Sequence, residues 1–262
     1  MINTSTKNNK HFFSIFVSDL SNLIQGCINN QIIICDKRLY KRLISVLRLK
    51  PNDYFILFDY QYNIIFSLDK KTFENKKCIC ANLIQQKRNK PFNTEIIFCP
   101  ALLKKSSFEN IIYFSAQMGA TKIIPVLTEK VQRKFEGEKE RQRLEKIIIS
   151  ACEQSKNFNV PELCGALNLK KIFKKIEEEE SKNSKKVLFD YSGSPLIMLL
   201  NEIHNEKTIK VFILIGPEGD FTTSEISLIR ENNFKLYKLT PTILRSTQAA
   251  AVGLGSIRSV AD

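Results

Sequence analysis

The first third of the chain alternates short apolar runs with turn-forming residues. Strand-length runs at fairly regular spacing predict a small β-barrel or sandwich. The runs are HFFSIFV (11–17), QIIIC (31–35), DYFILFD (53–59), YNIIFSL (62–68) and KCICANLI (77–84). A helical insert, RLYKRLISVLRLK (38–50), interrupts them, and the polar stretch QQKRNKP (85–91) is predicted to be a linker.

From residue 94 the pattern changes to alternating strands and helices. Continuous apolar runs predict strands at 95–99, 121–127, 187–191, 211–215 and 235–239. Apolar residues at helical spacing, or charged runs between strands, predict helices at 106–119, 138–155, 168–181, 195–203, 223–232 and 247–259. The alternation indicates an α/β fold with a mostly parallel sheet covered on both faces, following a β module.

Local signals predict where two of these helices begin and end. Ser106 and Glu109 have the spacing of a capping box, and Gly119 suits a helix end. Thr222 and Glu225 have the same capping-box spacing. These signals predict that one helix starts next to Ser106 and that another starts next to Thr222.

Composition and charge limit the class of protein. Apolar residues make up 43% of the 262 residues, enough for a sizeable core. The formal net charge of +13 indicates a polyanionic partner, most simply nucleic acid, or an anionic membrane surface. The alternative is a coding bias towards lysine, since the charge is spread along the chain. The polar start MINTSTKNNK has no signal-peptide pattern, and no apolar run has the length of a membrane span, so we expect a soluble, cytoplasmic protein.

The cysteines and histidines give no metal-binding pattern. No CxxC pair occurs, and only His11 and His204 could join the thiols, so no zinc site is predicted. Neither histidine has triad partners at recognisable spacing, which argues against nucleophilic hydrolysis. We expect free thiols at Cys27, Cys35, Cys78, Cys80, Cys99, Cys152 and Cys164.

The turn Gly-Pro-Glu-Gly directly follows the apolar run 211–215. In α/β sheets, ligands bind beyond the carboxyl ends of strands, next to helix N-termini. Gly216 and Gly219 permit positive φ and close backbone approach, and Pro217 stiffens the turn. The backbone of this turn can therefore bind a small polar ligand. Glu218 is either a structural hydrogen-bond acceptor or a functional carboxylate, and the structural role is favoured.

A second candidate loop follows the last predicted strand. After Leu239, a Thr-Pro-Thr turn leads to Ile243, Leu244 and Arg245 at the start of a helix. A cation is mildly unfavourable at a helix N-terminus. Arg245 is therefore either a surface arginine or a fixed cation facing an anionic substrate.

The common nucleotide-binding signatures do not occur in this sequence. It has no GxGxxG after the first strand and no GxxxxGK[ST] motif. Gly253 and Gly255 form a GxG inside an Ala-rich helix, where close helix packing explains them better. An unrelated nucleotide-binding protein is therefore the weakest interpretation.

Together, the two loops resemble a known enzyme family. LIGPEGDFTTSEI (214–226) and LTPTILRSTQAA (239–250) are similar to the GPEGG-F and LG-x-x-ILR-x-ET-A loops of bacterial 16S ribosomal RNA (uracil-N3)-methyltransferases, of the SPOUT superfamily. The segments 45–59, 101–130 and 148–162 also match in order and spacing. Each motif alone is weak, but five in order are specific, and they cover essentially the whole chain.

The resemblance implies a fold more specific than the sequence pattern can indicate. It implies a PUA-like RNA-binding β domain at residues 1–88 and a SPOUT methyltransferase domain at 92–262. The SPOUT domain would hold a deep trefoil knot in its mostly parallel sheet. Members of the superfamily are similar in forming dimers with the site at the interface, so the expected partners are small-subunit ribosomal RNA and a second copy of the chain.

The resemblance also implies a cofactor and a site. S-adenosylmethionine would bind mainly to backbone groups of the loops after Leu188, Ile215 and Leu239, without a metal. Arg245 is the expected catalytic residue, because a cation would stabilise the anion that forms when uracil N3 loses its proton. The expected cofactor-binding residues are Leu188, Gly216, Pro217, Glu218, Gly219, Leu239, Thr240, Ile243 and Leu244. The expected RNA-binding residues, all within matched segments, are Arg48, Lys104 and Lys130.

Several residues depart from the family pattern and keep a second hypothesis open. Asp220 and Thr240 stand in place of glycines, and Thr242 in place of a frequent arginine. Further departures are Phe114, Gln117, Lys156, Asn157, Thr247 and Gln248. Because several remove charge, the alternative to an active methyltransferase is a catalytically weakened RNA-binding assembly factor on the same fold.

Overall fold

The computed structural model describes residues 12–74, 77–131 and 133–262. The chain divides into two compact units, Met1–Asn89 and Lys90–Asp262. The polar N-terminal segment 1–10 and His11 lie outside the described residues. Among the described residues, no helix is both long and apolar enough to cross a lipid bilayer.

The first unit contains a five-stranded sheet of strand order β1-β3-β4-β5-β2. The β1–β3 pair is parallel and the other pairs are antiparallel. Alternate residues of the strands point into one core that includes Phe55, Phe66 and Ile79. The strands are β1 Phe13–Phe16, β2 Gln31–Ile34, β3 Tyr54–Phe58, β4 Tyr62–Leu68 and β5 Ile79–Arg88. The helices are α1 Leu20–Gln25, α2 Lys37–Tyr40 with the π-helical segment Lys41–Val46, and α3 Lys71–Glu74.

Two predictions for this unit are wrong. The proposed linker is partly strand, because residues 85–88 continue β5 and pair with β4, Tyr62 opposite Arg88. Cys35 and Cys78 are not free thiols but form a disulfide. They follow Ile34 and precede Ile79, which face each other across the antiparallel β2–β5 pair. Sequence spacing carried no sign of this pairing, since it depends on strand register.

The second unit is built around a six-stranded sheet of order β13-β11-β12-β6-β7-β9, in which all pairs are parallel. Two further short strands, β8 and β10, pair separately. The strands are β6 Glu95–Pro100, β7 Lys122–Ile123, β8 Val126–Leu127, β9 Glu162–Leu163, β10 Leu167–Asn168, β11 Ser184–Pro195, β12 Lys210–Ile215 and β13 Lys235–Lys238. The helices are α4 Lys105–Gln117, α5 Glu138–Ser155, α6 Leu169–Glu179, α7 Leu196–Asn205, α8 Thr223–Glu231 and α9 Ser246–Ala261.

The predicted mostly parallel α/β sheet is confirmed, and its central strands explain why the sequence revealed it. Every residue from Val211 to Ile215 is buried, as expected for a strand covered on both faces. The predicted strand 121–127 is instead split into β7 and β8, which belong to different sheets. Pro125 lies between them and has no backbone N–H to continue a ladder.

The helix-end predictions have mixed outcomes. The capping box of Thr222 and Glu225 is confirmed at the start of α8. The one predicted at Ser106 is wrong, because α4 begins at Lys105 with Lys104 as its N-cap. Glu109 instead forms an ion pair with Arg143 of α5. Gly119 has a φ of 77° just after α4, as expected for a helix-ending glycine.

Two glycines allow close packing around β11. A Cβ atom on Gly253 would lie 2.2 Å from the Phe189 ring, which confirms the predicted close packing of α9. A Cβ atom on Gly193 would lie 2.4 Å from backbone atoms of Leu236 and Tyr237 in β13. Residues 190–193 loop out of the β11–β13 pairing, since the register passes directly from Phe189 to Ser194. Gly193 thus returns this loop to the sheet.

Candidate active site

Three loops meet at one edge of the second sheet and enclose a cavity of about 750 Å³. Two of the loops follow β12 and β13, and the third begins after Phe189, where β11 leaves its pairing with β13. These three strands are neighbours in the sheet. Because the strands are parallel, their carboxyl ends lie at the same edge. The lining residues are Leu188, Phe189, Asp190, Tyr191, Ile215, Gly216, Pro217, Glu218, Asp220, Phe221, Ile226, Lys238, Leu239, Thr240, Thr242, Ile243, Leu244, Arg245, Ser246 and Ala249.

The turn 216–219, called the Gly216 turn, forms one wall. Ser246 Oγ donates to the Gly216 carbonyl at 2.8 Å, and Lys130 Nζ donates to the Gly219 carbonyl at 2.8 Å. Glu218 lines the cavity and also accepts a hydrogen bond from Ser107 Oγ at 3.2 Å. Side chains from three other parts of the chain therefore hold this turn.

The glycines of this turn do not serve the conformational purpose expected of them. Neither Gly216 nor Gly219 has a positive φ, whereas Asp220 has a φ of 53°. The Asp220 N–H donates to the Pro217 carbonyl, which closes the turn one residue later than predicted. Gly216 instead permits close packing, because a Cβ atom there would lie 3.1 Å from the Phe221 ring.

The segment 239–245, called the Arg245 segment, forms a second wall. Thr240 Oγ1 donates to the Thr242 carbonyl at 2.7 Å, so this bend is held by its own residues. Ile243 is 82% exposed and Arg245 is also exposed. Arg245 is the N-cap of α9, and its backbone N–H donates to Gln248 Oε1 at 3.2 Å. Gln248, a departure from the family pattern, thus fixes the backbone of the candidate catalytic residue.

The third wall is the loop after Leu188, where the resemblance implied cofactor binding, but Asp190 and Tyr191 were not among the expected site residues. Asp190 and Tyr191 lie in the looped-out residues 190–193 and line the cavity. Asp190 Oδ1 accepts from the Ser192 N–H at 2.8 Å, which stiffens the loop. Both residues end the predicted strand 187–191, and their position at its carboxyl end was a signal that could have identified them.

The cavity combines apolar walls with charges of both signs. Leu188, Phe221 and Ala249 are buried side chains in its lining. Its acidic residues are Asp190, Glu218 and Asp220, and its basic residues are Lys238 and Arg245. The cavity can therefore take an apolar ring together with a group of positive charge.

Metal and thiol chemistry find no support in the described residues. Among them, no group of three or more His, Cys, Asp or Glu side chains could hold a metal ion. Burial raises the pKa of Cys99, and it raises the pKa of Cys152 to about 12. Both thiols are therefore protonated at neutral pH and are poor nucleophiles.

The predicted site residues are only partly brought together. The cavity lining includes every expected cofactor-binding residue except Gly219, and it includes Arg245. Lys130 contacts the Gly216 turn through its ammonium group. Lys104 is exposed at the N-cap of α4. Arg48 is exposed in the first unit.

Comparison with known proteins finds relatives that match most of the chain. A family profile described as "RNA methyltransferase domain" matches residues 90–258. Ribosomal RNA small subunit methyltransferase E of Buchnera aphidicola subsp. Schizaphis graminum is 28% identical over 234 residues, covering 87% of this chain and 91% of that protein. The protein of the same name from Rickettsia conorii is 26% identical, covering 82% of this chain and 84% of its own length.

Solved structures show the same fold along nearly the whole chain. A putative methyltransferase from Legionella pneumophila, in complex with bound SAM, has a TM-score of 0.72 at 23% identity and covers 95% of this chain and 98% of its own. Ribosomal RNA small subunit methyltransferase E from Neisseria gonorrhoeae, bound to S-adenosyl methionine, has a TM-score of 0.71 at 19% identity with the same coverage. Because the family profile spans well over half of the sequence, the chain belongs to the RNA methyltransferase family.

Proposed function

We propose that this protein transfers the methyl group of S-adenosylmethionine to N3 of a uridine in small-subunit ribosomal RNA. The observation that carries the proposal is the cavity between the Gly216 turn, the Arg245 segment and the loop after Leu188. Two relatives with similar sequences are named ribosomal RNA small subunit methyltransferase E. The choice of N3 of uracil rests on the resemblance of the two loops to the uracil-N3 family.

The cavity fits this methyl donor in size and chemistry. Its volume of about 750 Å³ lies in the usual range for small-molecule sites. Leu188, Phe221 and Ile226 offer apolar surface for an adenine ring. Asp190, Glu218 and Asp220 place carboxylates where a sulfonium or ammonium group would be stabilised. When bound, the donor supplies an electrophilic methyl group, so no metal is needed.

Arg245 is the proposed catalytic residue. Uracil N3 is a weak acid and must lose its proton to become a nucleophile. The guanidinium cation at the cavity wall would stabilise the developing negative charge on the ring. Its backbone N–H is held by Gln248, so the side chain of Arg245 extends from a fixed point of the backbone. Holding both reactants in line would lower the barrier further.

We also propose the finer features that the resemblance implies. The first unit would be a PUA-like RNA-binding barrel with Arg48 in contact with RNA, and Lys104 of the second unit would also contact RNA. The second unit would carry the trefoil knot of the SPOUT fold. We further propose that the protein is cytoplasmic and forms a homodimer, and the dimer is supported by large apolar side chains exposed on the neighbouring helices α7 and α9. These are Ile197, Met198 and Val252.

The proposal is tested by mass mapping of ribosomal RNA from cells with and without the gene. We expect N3-methyluridine to disappear from one position of the small-subunit RNA when the gene is deleted, and to return when it is restored. Unchanged RNA would contradict the reaction. Calorimetry with S-adenosylmethionine then separates an enzyme from an RNA-binding assembly factor, because only the enzyme requires the donor.

A further inference from the structure

Residues 128–131, called the strap, contact the Gly216 turn and the start of α8. The strap lies about ninety residues earlier in the chain and follows β8. Lys130 Nζ donates to the Gly219 carbonyl at 2.8 Å. Glu129 accepts hydrogen bonds from Thr222 Oγ1 at 2.8 Å and from Ser224 Oγ at 3.2 Å. The strap therefore touches the chain on both sides of Phe221.

The backbone of the strap is fixed by a buried carboxylate. Glu225 is 4% exposed, and its two oxygens accept from two different N–H groups. Oε2 accepts from Thr222 at 2.9 Å and Oε1 accepts from Glu129 at 2.8 Å. Glu225 thus joins the cap of α8 to the strap, and the Glu129 and Lys130 side chains add bonds at the protein surface. The negative charge of Glu129 also suits the positive end of α8.

The segment held by these bonds is part of the cavity wall. Asp220 and Phe221 line the cavity, and they lie between the Gly219 carbonyl and the Thr222 hydroxyl. Asp220 has a positive φ, a conformation that non-glycine residues adopt at some cost. External bonds on both sides of this residue hold the backbone in that conformation.

We propose that Glu129 and Lys130 are positioning residues, which keep the Gly216 turn in the conformation that binds the methyl donor. This inference rests on the proposed function, because it requires the cavity to bind S-adenosylmethionine. It also gives Lys130 a different role from the RNA contact expected from the sequence. Neither residue touches the cavity, so each acts through the turn.

The test is calorimetry with S-adenosylmethionine in the absence of RNA, on the full chain. Each of Glu129→Ala and Lys130→Ala should raise the donor Kd by about three- to tenfold, the usual range for one or two surface hydrogen bonds. Glu129→Gln and Lys130→Arg keep an acceptor and a donor, so they should restore most of the affinity. Both residues are exposed, so the thermal unfolding midpoint should stay near that of the unmodified protein.

Matched controls are available on the same elements. Glu231→Ala removes an exposed carboxylate from α8, and Lys134→Ala removes an exposed ammonium group near the strap. Neither should change the donor Kd. Hydrogen exchange adds a local measurement: Glu129→Ala should speed exchange in 216–222 but not in Glu95–Pro100.

The outcomes separate this inference from the proposed function. If the unmodified protein does not bind S-adenosylmethionine, the proposed function fails. If it binds and the alanine variants bind equally well, the positioning role is wrong. A Lys130→Ala variant with unchanged donor Kd and weaker RNA binding would also overturn it, and would return Lys130 to the RNA surface. If the alanine variants bind S-adenosylmethionine more weakly but Glu129→Gln and Lys130→Arg do not restore the affinity, the loss of these hydrogen bonds is not the cause.

Discussion

The Gly216 turn and the Arg245 segment form facing walls of one cavity but are held in different ways. Side chains from α4, α9 and the strap bind the Gly216 turn. The Arg245 segment is held mainly by its own Thr240–Thr242 bond and by the Gln248 contact, and its Ile243 is 82% exposed. We infer that the anchored wall holds the cofactor in place, whereas the exposed wall contributes to the same cofactor site and also meets the RNA.

The largest difference between the two walls is expected when the cation of the exposed wall is removed. Arg245→Ala should lower kcat by about 100- to 1000-fold, as when one stabilising donor is lost from a transition state. The S-adenosylmethionine Kd should stay within about twofold, because the partner of Arg245 is the uracil. Single-turnover methyl transfer and calorimetry measure the two quantities. Arg230→Ala, which removes an exposed arginine of α8, is the control; unaltered turnover in Arg245→Ala would rule out the assigned role.

A second prediction concerns the support under the exposed wall. Gly193→Ala places a Cβ atom 2.4 Å from the backbone of β13, the strand that leads into the Arg245 segment. Since backbone atoms cannot move aside as a side chain does, the free energy of unfolding should fall by about 1–3 kcal/mol. Denaturant unfolding measures it. Gly165→Ala is the control, because nothing lies within 4 Å of its Cβ position. Equal stability of the two variants would mean that the loop does not touch β13.

A third prediction concerns the bond between the Gly216 turn and Ser246, the first residue of α9, which directly follows the Arg245 segment. Ser246→Ala removes the hydroxyl that donates to the Gly216 carbonyl and should raise the donor Kd by about three- to tenfold. Ser246→Thr keeps a hydroxyl and should restore most of the affinity. Ser259→Ala removes a similar bond to a carbonyl elsewhere in α9 and should leave the Kd unchanged. If calorimetry gives the same donor Kd for Ser246→Ala and Ser259→Ala, the bond from Ser246 to the Gly216 carbonyl has no part in binding.

The smallest effect is expected inside the Arg245 segment. Thr240→Ala removes the donor of the Thr240–Thr242 bond, whereas Thr242→Ala keeps its acceptor, which is a backbone carbonyl. Because the bond is exposed to water, Thr240→Ala should change kcat by only about two- to fivefold. Thr242→Ala should change it less. The opposite order in methyl-transfer assays would show that the Thr242 side chain matters more than the bend.

Much of the second unit could be predicted because its strands are buried on both faces. Runs such as Val211–Ile215 then appear as uninterrupted apolar stretches. The capping-box spacing of Thr222 and Glu225, which spans four residues, identifies the start of α8. The position of the Gly216 turn followed from the same strand, and the resemblance to a family added the ligand that we expect there. These features depend on local sequence, so they could be found without a structure.

The features that were missed depend on residues far apart in the chain. The Cys35–Cys78 disulfide follows from the register of β2 and β5, and the loop 190–193 from the register of β11 and β13. Lys156 illustrates a third case. It takes the left-handed conformation, with a φ of 55°, at the end of α5, where the family pattern has glycine. A lysine gave no indication of this conformation, which non-glycine residues adopt only at some cost.

Hydrogen exchange of the full chain with and without S-adenosylmethionine tests most directly whether the cofactor binds in this cavity. If it does, exchange should slow in 188–191, 216–221 and 239–246, with little change in the five strands of the first unit. Binding that leaves these three segments unprotected, or that protects another part of the chain, would contradict the placement of the cofactor in this cavity.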